Sequence, residues 1–344
     1  MLTQMRSITN NMNCIVRPGG CADSLARDRR RVLALPLAAF ALLGGCATGE
    51  RGSALPGAGS LASGGGPAVP GGPPGTAATV PPPRRPRLGL ALGGGAARGF
   101  AHVGVIEALE LAGIRPDLVV GTSAGSLVGA LYASGMTPKA LREAALGLDE
   151  AVLGDWTISA RGVLRGRALQ DVVNRWVAGR PIERFALPFG AVMTDLYDGS
   201  MRVARTGDAG LAVRASSAVP GVFEPVRIGG RDYVDGGLAS PVPVRVARAM
   251  GAERVLAVDI AARPRFQDTD TIPRVLLQTF AIMGQHLASG ELREADVVVA
   301  PAVGDRSSAD FNDRGGAIAL GAEALRAALP ALRAALLPLR LPAG

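Results

Sequence analysis

Cysteine is almost absent. The three thiols of the 344-residue chain are Cys14, Cys21 and Cys46, all close to the N-terminus. Everything beyond them lacks both a disulfide and a cysteine-based metal site, and must stand on its apolar core alone. Histidine is as scarce: His102 and His286 are the only two. Aromatic residues make up 4% of the chain, and Lys139 is its single lysine. The formal charge of +8 is therefore carried by arginine. Six Arg against two Asp in residues 1–46 account for half of that excess. With no basic run interleaved with aromatics, the charge does not describe a nucleic-acid surface, and no nucleic-acid partner is expected.

The first 46 residues read as an export signal. Arg27, Arg29, Arg30 and Arg31 precede an apolar run from Val32 to Leu43, and Leu43-Gly44-Gly45-Cys46 follows. The run is too short to span a bilayer, and small residues end it, as at a cleavage site. Small residues before a cysteine resemble the lipobox of bacterial lipoproteins, which makes Cys46 the expected lipid anchor. An ordinary signal peptide is the alternative. "DRRRVLALPL" also loosely resembles a twin-arginine signal, and Met5 or Met12 is a candidate true start. Residues 47–86 are rich in Gly, Pro, Ala and Ser with little to bury, so they read as a tether. Forty such residues span about 35 Å as a flexible coil. The expected location is the cell envelope, with the anchor in the outer membrane facing the periplasm, by resemblance to the usual sorting pattern after Cys46.

From Arg87 to the end, residues 87–344, apolar runs of strand length alternate with helical patterns. Strands are expected at 87–92, 117–120, 189–196, 200–206, 254–261 and 296–301, with one more within 227–237. Helices are expected at 97–113, 124–135, 241–251, 272–290 and 316–337, and one opens at Thr137-Pro138. Such alternation predicts an α/β fold with a mostly parallel sheet covered on both faces. In residues 150–186, Leu169, Val172, Val173 and Trp176 lie at helical spacing, as part of a lid or of the core.

Two glycine-bearing loops carry the chemistry. "LGLALGGGAARGFAHVGV" fails the dinucleotide fingerprint, because the third required glycine falls on Arg98 or the second on Ala96. It fails the Walker A pattern too, since Phe100-Ala101 follows Gly99 where Lys-Ser/Thr is needed. Gly121-Thr122-Ser123-Ala124-Gly125 fits G-x-S-x-G between a short strand and a helix, which is the context of a nucleophile elbow. Leu92 and Val120 end strands 28 residues apart, the length of one crossover. Both loops then leave the same sheet edge, with the amides of Gly93, Gly94 and Gly95 beside Ser123 as an oxyanion hole. Arg98 adds charge for that oxyanion or for a substrate phosphate.

The serine needs a base. His102 lies early in a helix, where capping or packing suits it. His286 lies mid-helix, although it leaves a Ser…Asp…His order formally available. Asp235, at the end of a strand and before Gly236-Gly237, is the better placed carboxylate.

Four ordered motifs, "LGLALGGGAARGFAHVGVIEALE", "VVGTSAGSLVGALYASG", "RASSAVPGVFEPV" and "YVDGG", together resemble the bacterial patatin-like phospholipase family over roughly residues 87–300. The resemblance implies a three-layer α/β/α fold and a Ser–Asp dyad, with Ser123 as nucleophile and Asp235 as base. Gly121 and Gly125 form the elbow, and Gly93, Gly94, Gly95 and Arg98 the oxyanion region. It implies hydrolysis of acyl esters of phospholipids or lysophospholipids with no cofactor and no metal, and membrane lipids as substrate and anchor. Leu92 stands where many members have Asp, which touches subfamily and substrate rather than the dyad. A non-catalytic membrane-tethered lipid-binding protein, or a thioesterase or acyl transferase using the same dyad, are the alternatives. Neither oligomeric state nor acyl preference is legible.

Overall fold

The computed structural model describes residues 84–148, 156–159, 161–261, 269–305 and 311–338. The leader, Cys46 and all but the last residues of the tether lie outside these. Ten strands and eight α-helices are described. The strands are β1 (Leu88–Leu92), β2 (Leu118–Thr122), β3 (Trp156–Ser159), β4 (Gly162–Leu164), β5 (Phe189–Asp195), β6 (Met201–Ala204), β7 (Val226–Ile228), β8 (Arg231–Asp235), β9 (Arg254–Val258) and β10 (Val297–Val299). The helices are α1 (Phe100–Leu111), α2 (Ala124–Ala133), α3 (Pro138–Leu146), α4 (Arg167–Trp176), α5 (Ala209–Ser216), α6 (Val244–Ala249), α7 (Ile272–Leu292) and α8 (Arg314–Ala335).

The main sheet runs β10-β9-β1-β2-β5-β8-β7, with β6 also paired to β5. From β10 to β5 every pairing is parallel, and β8, β7 and β6 join antiparallel. Residues of β1, β2 and β5 are buried throughout, as a strand covered by helices on both faces requires. One apolar cluster, holding Leu90, Leu92, Ile106, Leu109, Phe189 and Ile318, packs one sheet face against α1, α2 and α8. A second, with Val120, Val244, Ala247 and Val255, fills the opposite face under α6. The three-layer α/β/α expectation is met.

Three details refine the sequence reading. The segment 227–237 is a hairpin rather than one strand, because Gly229 and Gly230 both take positive φ and turn the chain between β7 and β8. The apolar stripe of α4 belongs to the core: Leu169, Val172 and Val173 are buried, and the helix packs on α5, so these residues form no lid. Preceding it, β3 and β4 form a small separate hairpin, and Leu164 of β4 exchanges backbone hydrogen bonds with Val222 and Glu224.

Candidate active site

Register brings the two candidate catalytic residues together. Leu92 of β1 pairs with Gly121 of β2, Thr122 with Val192 of β5, and Met193, the next residue of β5, with Asp235 of β8. Ser123, one residue beyond Thr122, thus stands level with Asp235 across the intervening strand. The chain turns sharply at Ser123, which has φ 51° and ψ −122° and directly precedes α2. A non-glycine residue in that region is strained by about 1–3 kcal/mol and persists only when its surroundings impose it. Gly125 shows how they do so: a Cβ there would collide with the Leu92 carbonyl, so the helix approaches β1 at backbone distance. Ala96, in the neighbouring loop, is also at positive φ.

The third motif of the sequence supplies the brackets. The Ser123 N–H donates to Ser216 Oγ at 2.9 Å, and the Asp235 N–H donates to the Ala218 carbonyl at 2.9 Å. Thr194 Oγ1 donates to the Asp235 carbonyl at 2.9 Å. We expect Ser216→Ala to leave the buried Ser123 amide unpaired and to lower stability by about 1–3 kcal/mol, measured by denaturant titration.

The Asp235 carboxylate is 6% exposed and accepts the Gly237 N–H at 2.7 Å. Burial pushes its pKa up to about 6, while hydrogen bonding from the Ser123 hydroxyl and the Gly237 amide pulls the other way. A carboxylate in this state is a usable base near neutral pH and faces the hydroxyl it would deprotonate. His286 is exposed on α7, and no hydrogen bond joins its ring to Ser123 or Asp235 among the described residues.

The glycine loop needs correcting. The Gly93 N–H donates to the Val258 carbonyl at 3.0 Å and the Gly94 N–H to the Pro241 carbonyl at 2.9 Å, so neither is available to an oxyanion. The reason is the loop's depth: it is walled by the end of β9 and by the segment after the Asp235 turn, where a buried amide must find a carbonyl. Gly94 still lies against Ser123, for a Cβ there would come 3.3 Å from the serine's own Cβ. Among the described residues the Gly95 N–H has no acceptor. Gly95 owes its identity to closeness, since a Cβ there would sit 2.7 Å from Ile260 Cδ1. Arg98 is buried, and its Nε donates to the Ile260 carbonyl at 2.8 Å, which ties the loop to the end of β9.

His102 clamps the same loop from within. Its Nε2 lies 2.8 Å from the Gly93 carbonyl, and burial lowers its pKa to about 4. At neutral pH the ring is therefore uncharged and donates from Nε2, as a packing role requires. The sequence reading missed further contributors. Ala124 opens α2, where first-turn N–H groups have no helical carbonyl to bond; its place directly after the serine was the available signal. Behind the site, buried Glu291 accepts the Ser240 hydroxyl at 2.8 and 2.9 Å, and Thr122 Oγ1 donates to the Ser240 carbonyl at 2.8 Å. No motif marks that relay, because its members come from three distant segments.

Comparison with known proteins points to one family. Residues 90–248, which contain both candidate catalytic residues, match the family described as patatin-like phospholipase. An uncharacterized NTE family protein of Mycobacterium tuberculosis is 36% identical over 192 residues, covering 55% of this chain and 53% of that protein. Human patatin-like phospholipase domain-containing protein 6 is 38% identical over 185 residues, 51% of this chain and 13% of that protein. The chain thus spans about half the length of the mycobacterial relative. Among solved structures, VipD from Legionella pneumophila superposes with a TM-score of 0.54 over 71% of this chain and 67% of its own, at 15% identity, a likeness of fold. Over residues 90–248 the chain is thus similar to the patatin-like phospholipase family.

Proposed function

We propose that the protein is a serine acyl hydrolase that cleaves carboxylic esters of lipids, phospholipids or lysophospholipids, through Ser123 and Asp235. One observation carries the reading: a strained serine at a strand-to-helix turn faces a buried carboxylate whose proton affinity has been raised toward neutrality. In the first half-reaction Asp235 accepts the Ser123 proton as Oγ bonds to the ester carbonyl carbon. The carbonyl oxygen gains the negative charge and meets the N–H groups of Gly95 and Ala124, with the positive end of α2 behind them. The tetrahedral species collapses, the ester C–O bond breaks, and Asp235 returns the proton to the departing alcohol. Water then attacks the acyl-serine, giving its proton to Asp235, and the carboxylic acid leaves as Ser123 recovers its hydrogen.

The test is covalent. A fluorophosphonate probe should label the wild-type protein at Ser123, found by peptide mass mapping, and should leave Ser123→Ala unlabelled. Labelling elsewhere, or none, overturns the proposal. His286→Ala discriminates the base: on a soluble ester its turnover should stay within about twofold of wild type, as for an exposed residue outside the reacting group. The leader reading extends the proposal to a domain held at the cell envelope through an acylated Cys46. Incorporation of a labelled fatty acid into the wild-type protein, and its absence in Cys46→Ser, checks that part.

A further inference from the structure

α7 is the one long helix of the described chain whose apolar residues face outward. Ile272, Val275, Leu276, Ile282, Met283 and Leu287 are between 40% and 78% exposed. At 100° per residue they fall within an arc of about 140°, along a stripe of about 22 Å that Thr279 and His286 share, while Leu277, 44% exposed, lies outside it. From Val275 to Gly290 there is no Asp, Glu, Lys or Arg. Toward its C-terminal end the other face is spent on the protein: Ala288 is buried, and Glu291 reaches the Ser240 hydroxyl. The helix also packs on the short Gly236–Leu238 turn that directly follows Asp235. Large apolar side chains exposed side by side, with no charge among them, offer a contact surface to an apolar phase.

We infer that this stripe is the surface on which the protein lies against a lipid layer while the site works, an inference that rests on the lipid-ester reading above. Two arguments select a lipid layer over a second copy of the chain. The stripe is one helix wide, so its footprint is roughly 250 Å², far short of the ~800 Å² per partner that a stable protein interface buries. Its position against the turn that carries the catalytic carboxylate puts an apolar contact beside the place where an acyl chain must leave its layer. No helix among the described residues is long and apolar enough to cross a membrane, so α7 lies on the surface, in the manner of an interfacial amphipathic helix.

The scarcity of cysteine provides a clean experiment. In the full chain with Cys14, Cys21 and Cys46 changed to Ser, Met283→Cys is labelled with an environment-sensitive fluorophore. Leu111→Cys, 84% exposed at the end of α1 and so at the opposite sheet edge, is the control. Vesicles of phosphatidylglycerol and phosphatidylcholine should shift emission to the blue at position 283 and leave position 111 unchanged. Adding Leu276→Glu and Leu287→Glu should abolish that shift. The same pair should lower turnover on vesicles about tenfold and leave a soluble short-chain ester within about twofold. A label at 283 that stays in water with vesicles present overturns the inference. So does a shift that needs no vesicles and grows with protein concentration, which assigns the stripe to a second copy. Repeating the fluorescence with Ser123→Ala separates docking from chemistry, because the shift needs no turnover.

Discussion

Ser123→Ala and Asp235→Asn should each lower ester turnover by at least about a thousandfold, read as initial rates on a soluble ester. The first removes the atom that bonds to the acyl carbon. The second keeps the shape and the Gly237 contact but leaves no group to accept the proton. For wild type, kcat/KM should rise through a single ionisation near pH 6, the value to which burial brings Asp235. A limb near pH 4 would mean a solvated carboxylate, and persistence of the limb in Asp235→Asn would mean another base.

The same substitution has an opposite effect on stability. Asp235 binds its proton more tightly in the folded protein than at its ordinary value of 3.8. Its protonated form therefore stabilises the fold below about pH 4, and that contribution is lost as pH rises through 6. At pH 8 the native state holds a desolvated carboxylate at a cost of about 3 kcal/mol. Asp235→Asn should then melt several degrees higher than wild type at pH 8, with the gap closing by pH 4, measured by calorimetry. Equal melting points at pH 8 would show that the carboxylate is not held in the buried state described. A site residue that weakens the fold while enabling the reaction is a familiar trade-off.

The largest effect on folding should come from a residue outside the chemistry. Gly104→Val should destabilise the protein by at least about 3 kcal/mol, seen as a lower denaturation midpoint or a loss of soluble protein. α1 and α8 touch backbone to backbone: a Cβ on Gly104 would run into the Ile318 carbonyl, and one on Gly321 into the Ala101 carbonyl. Neither carbonyl can move without unwinding a helix, so the valine must push the helices apart. That opens the layer holding Ile106, Leu109, Ile318 and Leu325, all buried. Since α1 also carries His102, which clamps the Gly93 carbonyl, the damage would reach the active site. Wild-type stability in Gly104→Val would show that the two helices are not in this close contact.

What could be read from residue order is what local spacing controls. The β1–α1–β2 crossover was legible because its length and handedness leave one arrangement, with both loops at the same edge of the sheet. The elbow was legible because its strain needs glycine at Gly121 and Gly125, and few sequences carry both by accident in that context. Asp235 was legible as a candidate from its place at a strand end before two glycines, but its position opposite Ser123 was not. β8 joins β5 antiparallel, and nothing in the residues of β8 announces that pairing. The same holds for the hydrogen-bond economy of the glycine loop. Three consecutive glycines look like three free amides, yet the carbonyls of Pro241 and Val258 come from segments far along the chain and claim two of them.

On its own, then, the sequence determined the layered α/β architecture, the serine and its turn, because those depend on periodicity and on backbone strain within a few residues. Tertiary structure alone decided which amides remain open, how far Asp235 is desolvated, which helices touch through their glycines, and that α7 turns its apolar side outward. Each of these depends on which distant groups come within a few ångströms, and that is set by packing rather than by spacing along the chain.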